Sequence, residues 1–190
     1  MRSGVGTSSS MTDKPLLLLD VDGPLNPYKD RLARLRGYRA HRLKPSAWMA
    51  RQEPGSRRHR RGLRVVLHPG HGALLRALPY ELAWATTWMH EANEMIAPAV
   101  GLPRDLPVIE WPELFATDPD GLYWKTRTLV EWAAGRPFVW VDDMLTEADV
   151  AYVAEHHGAP ALLLTIHPRH GLRTADFTRL RAWAEELERP

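Results

Sequence analysis

The chain has 190 residues, of which 44% are hydrophobic and 25% are charged, a composition typical of a globular domain rather than a disordered or fibrous protein. It contains no cysteine, which excludes a disulfide framework, a thiolate zinc site, an iron–sulfur centre and a cysteine nucleophile. No apolar run approaches the roughly 20 residues of a membrane-spanning helix, and no apolar stretch follows Met1 and Arg2. We therefore expect a cytoplasmic protein without a signal peptide or a membrane partner.

The net charge of +2 conceals an uneven distribution of charge along the chain. Residues 29–64 carry 13 Lys and Arg against two acidic residues, a net charge of +11, so the rest of the chain carries −9. A basic segment on an acidic body favours an anionic partner. A solvated surface in an Arg-rich protein is the alternative, because 21 of the 25 basic residues are Arg.

The order of apolar and polar segments predicts the secondary structure. Residues 1–13 are rich in Ser and Gly, which predicts a disordered leader, and residues 14–190 are expected to form a single domain. Short apolar segments predict strands at 16–19, 82–85, 108–109, 138–141 and 161–166. Helical patterns fall at 72–78, 88–97, 122–134, 146–157 and 174–187. Strands that alternate with helices predict an α/β fold with a parallel sheet.

One segment, at about 24–64, interrupts this alternation directly after the first strand. It contains four prolines and a run of basic residues at 57–61, and it is too polar to be core. We expect a basic flap in which residues 63–67 pair with residues near 38–43 as a hairpin.

Two aspartates, Asp20 and Asp22, follow the first predicted strand. Open α/β sheets bind ligands beyond the carboxyl ends of their strands, where these side chains would lie. A calcium loop of the EF-hand type is excluded, because Leu25 stands where that loop needs Gly and Arg31 stands where it needs an acid. A pair of solvated turn aspartates is the alternative interpretation.

Polar side chains also follow the second and fourth predicted strands. These are Thr86 and Thr87 after one strand and Asp142 and Asp143 after the other, and Lys125 lies in the first turn of the intervening helix. Thr86 follows its strand directly, one residue before Thr87. Carboxylates ~4 Å apart repel one another by about 4 kcal/mol at an effective dielectric of 20. The four aspartates therefore need cations, which a hard dication such as Mg²⁺ and the lysine would supply.

The ordered set Asp-x-Asp, Thr, Lys and Asp-Asp resembles the four motifs of the haloacid dehalogenase (HAD) superfamily of phosphohydrolases, over about residues 14–170. The resemblance implies a Rossmann-like three-layer fold, with a five-stranded parallel sheet of order 3-2-1-4-5 and the basic flap inserted after strand 1. It implies Mg²⁺-dependent hydrolysis of a phosphomonoester, with Asp20 as the nucleophile that forms an aspartyl-phosphate. Asp22 would be the general acid and base, since dehalogenases lack an acid at this position and phosphatases have one.

The resemblance also implies the roles of the other site residues. Mg²⁺ would be held by the carboxylates of Asp20 and Asp142 and by the backbone carbonyl of Asp22. Asp143 would act through water on the metal or through a contact to the lysine. Thr86 would bind the transferred phosphoryl group, which Lys125 would neutralise.

An alternative function is a nucleic-acid-binding or nucleic-acid end-processing HAD module that uses the Arg-rich insert. The early segment is similar to the HAD domains of RNA-repair proteins, and an open site suits a large substrate. The expected partner is thus a phosphorylated substrate, with nucleic acid and nucleotides both open. Trp88 and Trp124 lie next to the catalytic segments and are candidates for stacking on a base. Arg169, which follows the fifth predicted strand, is a candidate substrate contact.

Overall fold

The computed structural model describes residues 14–189, so the leader predicted over 1–13 lies outside the described residues. The elements of the described part are β1 (Leu16–Leu19), β2 (Arg39–Leu43), α1 (Ser46–Met49), α2 (Arg57–Arg61), β3 (Leu63–Leu67), α3 (His71–Arg76), β4 (Glu81–Trp84), α4 (Ala97–Val100), α5 (Thr126–Ala133), β5 (Phe138–Asp142), α6 (Glu147–His156), β6 (Ala161–Thr165) and α7 (Thr174–Leu187). A 3-10 turn (Ala33–Arg36) precedes β2, and a π-helical turn (Ala92–Ile96) leads into α4.

A parallel sheet of four strands lies at the centre, in the order β4-β1-β5-β6. The register of β1 places Leu19 beside Trp84 of β4 and beside Val141 of β5. The strands β2 and β3 pair antiparallel as a separate hairpin, as the sequence predicts. The described residues thus form an α/β structure with the Rossmann-like alternation of parallel strands and helices.

The prediction of a five-stranded sheet is wrong, because residues 108–109 do not form a strand. The sheet therefore has four strands, and the expected order 3-2-1-4-5 lacks strand 3. Residues 108–109 make one parallel bridge, between Val108 and Trp84, and the amide of Ile109 donates to the carbonyl of Trp84 at 2.9 Å. Pro107 and Pro112 flank the segment and have no N–H to donate to a longer ladder. The edge of the sheet consequently stops after a single bridge.

Two predicted helices also differ from the structure. The helix expected over 122–134 begins at Thr126, so Lys125 lies immediately before the first turn rather than within it. The helix expected over 88–97 is divided into a turn, the π-helical turn and α4, where Pro98 cannot donate the N–H of a continuous helix. The other predicted elements agree with the structure to within two residues at each end.

Each strand of the sheet is covered on both faces, which explains its apolar runs. Leu17 and Leu19 face a core formed with α3, α4, α7 and the hairpin, whereas Leu16 and Leu18 face a core formed with α5 and α6. Full burial of one such leucine contributes about 1.5–3 kcal/mol, so β1 is a rigid support for the residues that follow it. Within residues 14–189, no helix has the length and apolar character needed to cross a membrane.

The buried carboxylate of Asp149 fixes the entry to α5. Its Oδ1 accepts hydrogen bonds from the amide of Tyr123 at 2.8 Å and from Oγ1 of Thr126 at 2.6 Å. Its Oδ2 accepts from the amide and Oγ1 of Thr146 at 2.9 and 2.7 Å, which forms the predicted capping box of α6. Because Lys125 lies between Tyr123 and Thr126, the side chain of Asp149 holds the backbone of Lys125 in place.

We expect the substitution Asp149→Ala to lower the free energy of unfolding by about 3 kcal/mol, because it leaves buried donors without an acceptor. The matched control is Asp176→Ala, which removes a carboxylate that accepts from the amide of Arg173 at 2.8 Å on a more exposed helix end. Loss of that cap costs only about 1 kcal/mol. Urea unfolding of the two variants measures the difference, and equal losses would contradict the role given to Asp149.

Candidate active site

The register of the sheet brings three carboxylates together at its carboxyl edge. Leu19 pairs with Val141, so Asp20 and Asp142 leave neighbouring strands at the same level. The amide of Asp20 donates to the carbonyl of Val141 at 3.0 Å. Oxygen atoms of Asp20, Asp142 and Asp143 all lie within 4.8 Å of one another. Carboxylate oxygens in such a group are the ligands that a hard divalent cation prefers.

The ammonium group of Lys125 lies against this cluster, with its side chain 1% exposed. Its Nζ donates to Oδ2 of Asp142 at 2.8 Å and to the carbonyl of Ala85 at 2.9 Å. The same atom lies 3.4 Å from Oδ1 of Asp20. A buried charge is tolerated only when it is paired and hydrogen-bonded, and here one ammonium bridges the ends of two neighbouring strands.

Burial and charge shift the ionisation of the nucleophile candidate. Burial raises the pKa of Asp20 to about 8; Lys125 opposes this rise, Asp142 and Asp22 add to it, and a hydrogen bond from Thr86 lowers the pKa. Burial disfavours the lysine ammonium, but the two carboxylates beside it outweigh burial and hold the pKa of Lys125 above its ordinary value. The cluster thus retains either a proton on Asp20 or a second cation.

The carboxylate of Asp22 is not among the three that converge. Its Oδ1 accepts from Nδ2 of Asn26 at 2.7 Å, and its Oδ2 accepts from the indole Nε1 of Trp88 at 2.9 Å. Asn26 in turn accepts from the amide of Val66 at 3.0 Å, which ties the aspartate to β3 of the hairpin. A contribution of Asp22 to cation binding would therefore come from its backbone carbonyl, and this stays a prediction.

Asp143, which we expected to act from a distance, has its carboxylate among the three that converge. Burial raises its pKa, although the hydroxyl of Tyr28, which donates to its Oδ2 at 2.8 Å, opposes that rise. Gly23 packs directly on this side chain, where an added Cβ would lie 2.5 Å from the Cβ of Asp143. The backbone of Gly23 also has a positive φ of 96°, so the turn after Asp22 requires glycine on two counts.

Aromatic rings surround the lysine on its other side. Its Nζ lies 5.4, 5.7 and 5.8 Å from the ring centroids of Tyr123, Trp124 and Trp111. The indole of Trp111 donates to the carbonyl of Thr86 at 3.1 Å, which fixes the backbone of that buried threonine. These rings exclude water from the ammonium and add a cation–π attraction.

Sequence reasoning missed two residues that touch the site, Asn26 and Tyr28. Both lie in the Pro-containing start of the insert, which has no periodicity, and only their closeness to the turn after Asp22 could have indicated them. Trp88, a candidate for stacking on a base or sugar, is 5% exposed and donates to Asp22, and its stacking role stays a prediction. Trp124 was given the same expectation and packs against Trp111 and Lys125.

Comparison of the chain with protein-family models, with curated proteins and with solved structures finds no match. The candidate site therefore stands on its own geometry and chemistry. Three acidic oxygen donors suit a hard divalent cation, and the paired ammonium and the threonine hydroxyl suit an anionic ligand beside it. The donor set thus suits a hard divalent cation and does not distinguish Mg²⁺ from others of that class.

In a cation-free buffer, we expect the free energy of unfolding to fall as the pH rises from about 4 to about 8. The folded protein holds a proton on Asp20 up to a pKa of about 8, whereas the unfolded chain releases it near 3.8. The stability that this proton contributes is thus fully present below pH 3.8 and is lost as the pH rises to about 8. The loss is at most about 1.4 kcal/mol per pH unit.

Urea unfolding at several pH values in the presence of a chelator measures this loss. The control is Asp20→Asn, which cannot release the proton, and subtracting its profile removes the titration of the histidines. Saturating Mg²⁺ is expected to flatten the wild-type profile, since the cation replaces the proton. Identical profiles for wild type and Asp20→Asn would contradict the assignment.

Proposed function

We propose that the protein is a Mg²⁺-dependent phosphatase of the HAD type that hydrolyses a phosphomonoester through an aspartyl-phosphate on Asp20. The observation that carries the proposal is the convergence of Asp20, Asp142 and Asp143 at the carboxyl edge of a parallel sheet, with the ammonium of Lys125 bridging two of them. Open α/β sheets bind their ligands at this edge. A cytoplasmic location belongs to the same proposal and agrees with the absence of cysteine.

The position of Asp20 supports its role as nucleophile. It follows a fully buried strand, and its backbone is held by Val141, so its carboxylate has little freedom to move. One carboxylate oxygen would form a bond to phosphorus as the bond from phosphorus to the leaving alcohol breaks. A Mg²⁺ ion held by Asp20, Asp142 and Asp143 would supply positive charge to the phosphoryl oxygens when bound.

Thr86 and Lys125 are the groups that would hold the transferred phosphoryl. Both are fully buried, and both are fixed by neighbours that do not take part in the chemistry: Trp111 for the threonine backbone and Ala85 for the ammonium. Donors that are fixed before the reaction stabilise developing charge without a cost of reorganisation.

Asp22 is suited to proton transfer by its position two residues after the nucleophile. It would donate a proton to the leaving alcohol and later take one from the water that attacks the phosphorylated Asp20. Asn26 and Trp88 each donate to one of its oxygens, so its carboxylate is held in one orientation.

We expect Asp20→Asn to reduce turnover of an aryl phosphate in Mg²⁺ by at least about 10³-fold, because it removes the nucleophile. Asp22→Asn is expected to reduce it by about 10²–10⁴-fold and to leave phosphorylated Asp20 detectable by mass spectrometry. The control Asp118→Asn changes a carboxylate that binds Arg127 outside the cluster, and it should retain turnover. Wild-type turnover in Asp20→Asn would overturn the proposal.

A second candidate function, nucleic-acid binding, is favoured by a basic groove of about 1390 Å³. Its basic lining consists of Lys29, Arg31, Arg36, Arg64, Arg169 and Arg173. Tyr28 lines the groove and also donates to Asp143, so the groove opens beside the catalytic carboxylates. Such a concentration of positive charge attracts a polyanion. Four other arginines of the insert, Arg42, Arg57, Arg58 and Arg61, line a separate, smaller cavity at α2.

We expect the triple substitution of Arg31, Arg64 and Arg169 by Gln to weaken binding of a 5′-phosphorylated single-stranded oligonucleotide and to flatten its dependence on salt. Each lost phosphate contact reduces the slope of log K against log salt by about 0.7. Fluorescence anisotropy at several salt concentrations measures both effects. The charge-matched control replaces Arg57, Arg58 and Arg61 of α2; an equal loss in that control, or binding insensitive to salt, would contradict the groove.

A further inference from the structure

A second, smaller cavity of about 200 Å³ lies beside Asp22 and shares no lining residue with the basic groove. Its apolar walls come from three parts of the chain, and they include Trp48, Leu63, Trp88, Leu114 and Phe115. Pockets that enclose drug-sized ligands have volumes of about 300–1,000 Å³, so this cavity suits one small ring system rather than a large ligand.

The wall contributed by the insert is held against the body of the domain. Oε1 of Glu91 accepts hydrogen bonds from the amide and the Oγ of Ser46, at 2.7 and 2.6 Å. Ser46 begins α1, the short helix that carries Trp48. Leu63, at the start of β3, packs against the main core. The cavity is thus bounded by side chains whose backbones are anchored.

The opposite wall presents exposed apolar side chains under backbone strain. Leu114 is 39% exposed and Phe115 is 61% exposed. Phe115 has a φ of 62°, which is rare for a residue with a large side chain. Its ring lies 5.3 Å from that of Trp124, which packs on the site lysine. Strained, exposed aromatic residues of this kind are concentrated at ligand-binding sites.

We propose that this cavity receives an aromatic ring carried by the leaving alcohol of the substrate, so that the substrate class is a phosphomonoester of an aromatic-ring-bearing alcohol. The inference rests on the proposed phosphatase function. Asp22, which would protonate the leaving oxygen, forms part of the cavity wall, so the group attached to that oxygen enters the cavity. A ring gains by packing against Trp48 and Phe115. The cavity is also lined by Arg51, Thr87 and Glu91, which can bond polar substituents of the ring.

The test compares 2-phenylethyl phosphate with n-butyl phosphate, because both have primary-alcohol leaving groups and differ in the ring. We expect wild type to prefer the phenylethyl ester by about 10- to 100-fold in kcat/KM, the range of a ring stacked on an aromatic side chain. Trp48→Ala and Phe115→Gly are expected to reduce this preference to about threefold or less, because they lower kcat/KM for the phenylethyl ester more than for the butyl ester.

Two features of the variants separate binding from folding. Phe115→Gly removes the ring and also relieves the positive φ, so a lost preference in this variant does not arise from a strained backbone. The control Leu74→Ala truncates an exposed leucine on α3 that lines neither cavity, and it should keep the preference. Equal kcat/KM for the two esters in wild type, or equal losses for both esters in the variants, would overturn the inference and leave the phosphatase function standing.

A binding measurement separates failure of the cavity from failure of the proposed function. Calorimetry of Asp20→Asn with 2-phenylethylphosphonate and n-butylphosphonate, which have no ester bond to break, reports binding without turnover. Ring-dependent binding that Trp48→Ala abolishes, in a protein that hydrolyses no phosphomonoester, would support the cavity and overturn the phosphatase. Turnover of a 5′-phosphorylated oligonucleotide that exceeds both esters and is insensitive to Trp48→Ala would overturn the aromatic leaving group.

Discussion

The structure depends on one buried ammonium, that of Lys125, at the carboxyl edge of the sheet. It joins the ends of β1 and β5 by pairing with Asp20 and Asp142, whose carboxylates would otherwise repel each other across neighbouring strands. Removal of one partner from a buried ion pair costs about 3–5 kcal/mol, so the lysine stabilises the fold as well as the site. Its own position is set by Ala85 and by the carboxylate of Asp149, on a helix that takes no part in the chemistry.

Much of the framework could be predicted from the sequence because its signals are local. Apolar runs indicated the four strands of the sheet, and a polar residue directly after a strand must lie at the carboxyl edge. This rule was enough to bring Asp20 and Asp142 together, whereas Lys125, which precedes a helix, was placed with them by the order of the motifs. The capping box at Thr146 and the hairpin of the insert were also predictable, since each depends on a short stretch of chain.

The remainder could not be predicted because it depends on contacts between distant segments. The start of α5 is set by Asp149, which lies more than twenty residues further along the chain. The edge at Val108 stops because of neighbouring prolines, although its apolar character is that of a strand. Tyr28 donates to Asp143 and Trp88 donates to Asp22, and only the fold brings these distant residues to the site.

The two hydrogen bonds of Asn26 limit how the insert of this protein can change during evolution. Its side chain donates to Asp22 and accepts from the backbone of Val66, so it belongs at once to the proposed acid and to the hairpin. The insert therefore cannot be exchanged without disturbing the hydrogen bond that holds the carboxylate of Asp22. A replacement that altered the register of β3 would move the amide of Val66, which donates to Asn26. Asn26 would then shift, and the carboxylate of Asp22 would shift with it. Under the proposed function, changes in the insert and the position of the acid would thus be constrained by the same amide side chain.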